Sequence, residues 1–225
     1  MVEQVAAIFA HPDDEILGCG GTLARHAEAG AEVRILLLAT GLAARATTGS
    51  EQIDALRAQA RRAANVVGAR AIEFADFPDN AMDTVPLLEV VKRIEEFLAD
   101  GIPERIYTHH GGDLNVDHRI VQRAVVTAAR PLPDRGPMAI LAAEVNSSTE
   151  WAAPPLMPFQ PTEFVDISSS LETKLQALTC YQGELRDWPH PRSIEGVRAL
   201  ARWRGTQCGR HAAEAFVTLR RIDAG

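Results

Sequence analysis

Six consecutive residues, Ala10-His11-Pro12-Asp13-Asp14-Glu15, put an imidazole and three carboxylates into one short stretch of chain. Nitrogen and oxygen donors in that mixture suit a divalent metal. The plainer reading is a polar loop whose acids cap a helix and sit near the positive end of its dipole. A second cluster, His109-His110-Gly111-Gly112-Asp113-Leu114-Asn115-Val116-Asp117-His118, repeats the same chemistry. Asp117 reads there as a helix N-cap and His118 as a first-turn residue. The positive helix end favours the neutral ring that a metal needs. Any one of these histidines alone reads as well as a loop or capping residue. Two such clusters at matching places in the chain point to one metal site.

Each cluster follows an apolar run, and those runs must position it. Val5-Ala6-Ala7-Ile8-Phe9 and Arg105-Ile106-Tyr107-Thr108 read as buried strands of a parallel sheet. Further strands are expected at residues 32–39, 71–74, 139–145, 163–167 and 215–219. Helices are expected at 22–30, from 50 to a stop at Gly68, from a cap at Thr84 to Leu98, through Val121 to Ala128, from Ser168 or Ser169 to Tyr181, and from Ser193. Residues 40–50 read as a polar, mobile loop. The alternation predicts an α/β fold, a Rossmann-like three-layer sandwich with a mostly parallel sheet. Sheets of this kind bind ligands beyond the carboxyl ends of their strands, where both clusters fall.

The 225 residues fit a single domain, 1–225, and a formal charge of −7 without a basic tract argues against nucleic acid or an anionic membrane as partner. No apolar run reaches transmembrane length, and the start lacks the basic region of a secretory signal. Cys19, Cys180 and Cys208 are odd in number and widely spaced, which fits free thiols and a cytoplasmic protein.

Ala-His-Pro-Asp-Asp-Glu near the N-terminus, with Asp-x-Asn-x-Asp-His at residues 113–118, resembles the PIG-L/LmbE-like zinc de-N-acetylases. The resemblance extends to Phe77-Pro78-Asp79-Asn80, Ser147-Ser148-Thr149-Glu150-Trp151, Pro189-His190-Pro191-Arg192-Ser193 and Ala213-Glu214-Ala215-Phe216. It implies a deacetylase of N-acetylglucosamine conjugates carrying one Zn2+ per chain, with another divalent metal as an alternative. Members of the family commonly assemble, so a homo-oligomer is left open. The ligands implied are His11, Asp14 and His118, a His₂-carboxylate set with an open position. Asp13 would be the general base, and Asp117 would orient the second histidine. The chain departs from the family at Asn115, where many members carry a histidine credited with stabilising the oxyanion or donating a proton. Asn115 can donate a hydrogen bond but not a proton near neutral pH. Either Asp13 returns its proton to the leaving amine, or His190 supplies one, with His110 as reserve. His190 reads equally as a surface histidine between prolines. Arg57, Asp79 and Asn80 are expected to bind substrate hydroxyls, and Trp151 to stack on a sugar, although a solvated helix residue and a packing residue are the plainer readings of Arg57 and Trp151.

Two other classes remain. One is a non-enzymatic α/β domain binding a sugar or nucleotide, disfavoured because no Gly-x-Gly-x-x-Gly follows the first strand. The other is a metal-dependent phosphoesterase, whose two-metal sites need more ligands.

Overall fold

The computed structural model describes residues 2–41, 50–132 and 136–223. Most of the loop expected to be mobile, residues 42–49, lies outside them. Among the described residues seven strands and six α-helices follow in the order β1 (Gln4–Phe9), α1 (Asp14–Glu28), β2 (Glu32–Ala39), α2 (Ser50–Val66), β3 (Ala71–Phe77), α3 (Leu87–Ala99), β4 (Arg105–His109), α4 (Val116–Ala128), β5 (Ala139–Ala143), β6 (Glu163–Asp166), α5 (Leu171–Leu178), α6 (Ile194–Cys208) and β7 (Ala213–Arg221). They form one sheet of order β3-β2-β1-β4-β5-β7-β6. The first five strands are parallel, and β7 runs antiparallel to β5 and β6.

Alternate residues of each strand serve opposite faces, as the pleat demands. Val5, Ala7 and Phe9 pack under α1, α2, α5 and α6, whereas Ala6 and Ile8 pack under α3 and α4. β1 and β4 therefore lie side by side in the middle of the sheet, covered on both faces. Strand order reverses between them, and such a reversal opens a crevice at the carboxyl ends. Among the described residues no helix is long and apolar enough to cross a membrane.

Several local expectations are corrected. The first helix starts at Asp14, not Thr22, and breaks at Cys19 (φ −147°, ψ 16°) before resuming. Gly21 is needed there for space, since a Cβ would come within 2.9 Å of the Ile167 side chain. Thr84 caps no α-helix. It lies in a short 3₁₀ turn, its hydroxyl donates to the Ala81 carbonyl, and Pro86 precedes α3 instead. Ser170 precedes α5, and its hydroxyl donates to the Gly21 carbonyl.

A helix broken at Cys19 exposes orphan groups on both sides of the break. Lys174 on α5 donates to the Leu17 carbonyl at 2.7 Å, and Glu214 on β7 accepts from the Gly21 and Thr22 amides at 3.0 and 2.7 Å. The two side chains also pair with each other at 2.6 Å, both buried. Positive charge thus meets the carboxyl end of one half-helix, and negative charge meets the amino end of the next. Replacing only one partner strands a buried charge, so Lys174→Met or Glu214→Leu should each cost about 3–5 kcal/mol in urea unfolding. A loss below about 1 kcal/mol would mean that water relieves the break.

Candidate active site

The β1–β4 ladder ends at the pair Ala7 and Tyr107. Beyond it the strands part, and the Ala10 amide donates to the His109 imidazole, Nε2, at 2.8 Å. His109 is fully buried, edge-on to Phe9 and stacked on His118 with ring centroids 3.8 Å apart. Burial, reinforced by the nearby His118, holds its pKa well below the usual histidine value. A neutral ring therefore joins the two strand ends that carry the clusters.

His11, Asp14 and His118 converge here, with one ligand atom from each lying within 4.8 Å of the others. Asp14 Oδ2 is 3.1 Å from His11 Nδ1 and 3.2 Å from His118 Nε2. Asp14 Oδ1 and His118 Nε2 are buried, with no hydrogen-bond partner among the described residues. A buried carboxylate oxygen and imidazole nitrogen left this way carry a desolvation cost that a cation would offset. The set fits a divalent metal.

Carboxylates hold the far nitrogens of both rings. His118 Nδ1 lies 3.1 Å from Asp113, which also accepts from the hydroxyls of Ser148 and Thr149 and from the Asn115 amide. His11 Nε2 lies 3.0 Å from Asp117 and 3.1 Å from Asp79. Such partners set tautomer and ring orientation for metal binding. Burial would lower the pKa of both rings. The carboxylates outweigh it, raising His11 well above its usual value and His118 to about 9. At His118 the carboxylates of Asp14 and Asp113, rather than the helix end, are the main influences opposing burial. Asp14 and Asp113 are correspondingly pulled below the usual carboxylate range, against the upward push of burial. Asp113→Asn should weaken metal binding by about 10–100-fold, measured by chelator competition, with the fold retained. Unchanged affinity would leave Asp113 only a loop-organising role.

Asp13 faces elsewhere. Its backbone is left-handed (φ 111°), a conformation costing a non-glycine residue about 1–3 kcal/mol. The Asp13 amide donates to Glu15, whose other oxygen accepts from the Tyr181 hydroxyl, and this buried chain holds the turn. Burial pushes Glu15 up to about 7. It also raises Asp13 well above the usual carboxylate range, although Arg192, donating to Asp13 Oδ2 at 3.0 Å, pulls the other way.

Other candidates fall in places that the sequence did not indicate. The N-cap of α4 is Asn115, not Asp117: the Asn115 side chain accepts from the Asp117 amide. The helix starts at Val116, which leaves the Asp117 carboxylate to accept from the Asn80 and Met82 amides and to face His11 rather than His118. Asn115 Nδ2 donates to Asn80 Oδ1, which leaves one amide hydrogen for a ligand. Asp79, expected on substrate hydroxyls, is buried against His11. Arg57 is engaged by Asp76, the Ala75 carbonyl and the Phe74 ring. His110 donates to the Met157 carbonyl. His190 accepts from the Arg192 amide and meets Trp151 edge-on; among the described residues no hydrogen bond joins it to Asp13 or the metal candidates. The residue of that loop that touches Asp13 is Arg192.

Asp113, Arg192, His109 and Tyr181 had no role assigned from sequence. The first two lie inside quoted motifs, Asp113 opening Asp-x-Asn-x-Asp-His, so the signal was present but ambiguous. His109 opens the second cluster, but its bond to the Ala10 amide spans 99 residues, and Tyr181 reaches Glu15 across 166, partners that no local pattern signals.

Residues 6–129 match the family described as PIG-L, GlcNAc-PI de-N-acetylase. An uncharacterized deacetylase, YaiS, of Escherichia coli is 30% identical over 180 residues, covering 77% of this chain and 88% of that protein. A 4-oxalmesaconate hydratase of Pseudomonas putida is 28% identical over 222 residues, covering 91% and 80%. Among solved structures, the N,N'-diacetylchitobiose deacetylase of Pyrococcus horikoshii superposes with a TM-score of 0.77 at 21% identity, over 96% of this chain and 84% of that one.

Proposed function

The chain belongs to the PIG-L family, and from that membership we propose that it is a metal-dependent hydrolase removing the N-acetyl group from an N-acetylglucosamine-type conjugate. One observation carries the reading. Ligand atoms of two histidines and one carboxylate converge, Asp14 Oδ1 and His118 Nε2 among them lacking a hydrogen-bond partner among the described residues, while the adjacent carboxylate, Asp13, is turned onto an arginine. Ligand and base are thereby separated although they are neighbours in sequence.

His11, Asp14 and His118 would hold the ion, zinc being the natural choice for such donors. A divalent ion there supplies Lewis acidity, acidifying water and polarising a carbonyl. Asp13 takes the proton of the attacking water. It then returns that proton to the departing amine, because Asn115 cannot donate one and no hydrogen bond links His190 to Asp13 among the described residues. The remaining Asn115 amide hydrogen would serve to stabilise the developing oxyanion. Trp151, half exposed beside His190, offers an aromatic face to a sugar ring.

The hydratase among the relatives favours a second reading, addition of water to a carbon–carbon double bond. Both reactions need an activated water, and the products separate them. Metal-loaded and chelated protein should be incubated with N-acetylglucosamine, N,N'-diacetylchitobiose and an unsaturated dicarboxylic acid. Metal-dependent acetate release with a free amine supports the proposal. Hydration of the diacid without acetate from either amide would overturn it.

A further inference from the structure

We infer that Arg192 is the positioning residue for Asp13, holding one carboxylate oxygen so that the other faces the attacking water. This rests on the hydrolase reading above, with Asp13 as the base. Arg192 is anchored at both ends. Its backbone amide donates to His190 Nδ1 at 3.1 Å, and the preceding carbonyl, of Pro191, accepts from Asn146 Nδ2 at 3.2 Å. At the tip, Nε donates to Ser147 Oγ at 2.7 Å while Nη1 donates to Asp13 Oδ2 at 3.0 Å. Ser193, the next residue, caps α6 by accepting from the Gly196 amide, so the loop enters a rigid element directly.

Asp13 is buried, and among the described residues its Oδ2 is bonded by Arg192 whereas no hydrogen bond occupies Oδ1. The Glu15 bond fixes the Asp13 backbone, and Arg192 fixes the remaining freedom, rotation of the carboxylate. A general base must present its oxygen within hydrogen-bond reach of the proton it takes. Two bonds from one planar fork, to Ser147 and to Asp13, define that orientation. A lysine would keep the charge but could not make both contacts in that geometry. His190 then acts through Arg192, by bonding its amide.

The test is a double-mutant cycle on metal-loaded protein, with N,N'-diacetylchitobiose or N-acetylglucosamine as the amide. Arg192→Ala and Arg192→Lys should each lower kcat by about 10²-fold, the cost of a small misplacement at a reacting group. KM, bound metal and Tm should stay at wild-type values, and added guanidinium ion should restore part of the turnover of Arg192→Ala. In an Asp13→Asn background the arginine substitution should cost nothing further, because the group it positions no longer takes a proton. Wild-type turnover in Arg192→Lys would overturn the inference, since charge alone would then suffice. So would a full, multiplicative loss on top of Asp13→Asn, which would make Arg192 act on something other than Asp13. Loss of metal or of Tm in both arginine variants would mark the loop as structural and overturn it as well. Failure of the underlying reading looks different: Asp13→Asn itself would then keep its turnover.

Discussion

Asp13→Asn is expected to lower kcat by about 10²–10⁴-fold while the protein keeps its full complement of metal. Asparagine fills the same space and can still accept from Arg192 at the Oδ1 amide oxygen, so the loop around residue 192 stays in place. It cannot accept the proton of the attacking water. Asp14, one residue on, faces His11 and His118 and is not positioned to replace it. The measurements are metal stoichiometry and kcat on one preparation. Metal lost together with turnover would show that Asp13 is a ligand and that its role and that of Asp14 have been exchanged.

The second large effect is expected from the proposed ligands themselves. His11→Ala, Asp14→Ala and His118→Ala should each weaken metal binding by more than the roughly 10–100-fold expected of an outer partner such as Asp113, with activity falling to background. The far-UV CD spectrum should remain native, because both strand ends are held by contacts elsewhere, among them the bond from the Ala10 amide to His109. Retention of wild-type metal affinity in His118→Ala would remove the second cluster from the site. In that case the other triangle, His11 with Asp79 and Asp117, would be the remaining candidate. That triangle fits a holder of His11 better than a metal site, since Asp117 already accepts two backbone amides.

Two features of the site became clear only when distances were known. Asn115 is the departure from the commoner family pattern, and in sequence it reads as a weakened catalytic group. In the structure it caps α4 and bonds Asn80, so its first job is to set where Asp117 and His118 begin their helix. The loop Pro189-His190-Pro191-Arg192 shows the complementary case. Its prolines do announce a stiff segment, and the segment does reach Asp13, but through the arginine rather than the histidine. Which of two polar side chains in a rigid loop points inward depends on what faces them. Here Ser147 and Asp13 offer acceptors to a guanidinium.

By itself the sequence determined an α/β fold with candidate metal-binding residues beyond the ends of its first and fourth strands. Alternating apolar runs and helical periods encode elements locally, and a parallel sheet then has few ways to order them. His11, Asp14 and His118 were legible as candidates for that reason, the first two just past β1 and the third in the first turn of the helix that follows β4. Only the tertiary structure decided what stands behind those residues. Asp113 behind His118, Asp79 and Asp117 behind His11, Glu15 with Tyr181 beneath Asp13, and Arg192 upon it are pairings of burial and charge. Most join residues far apart in the chain, and all depend on ångström-scale approach, which residue type and spacing do not specify.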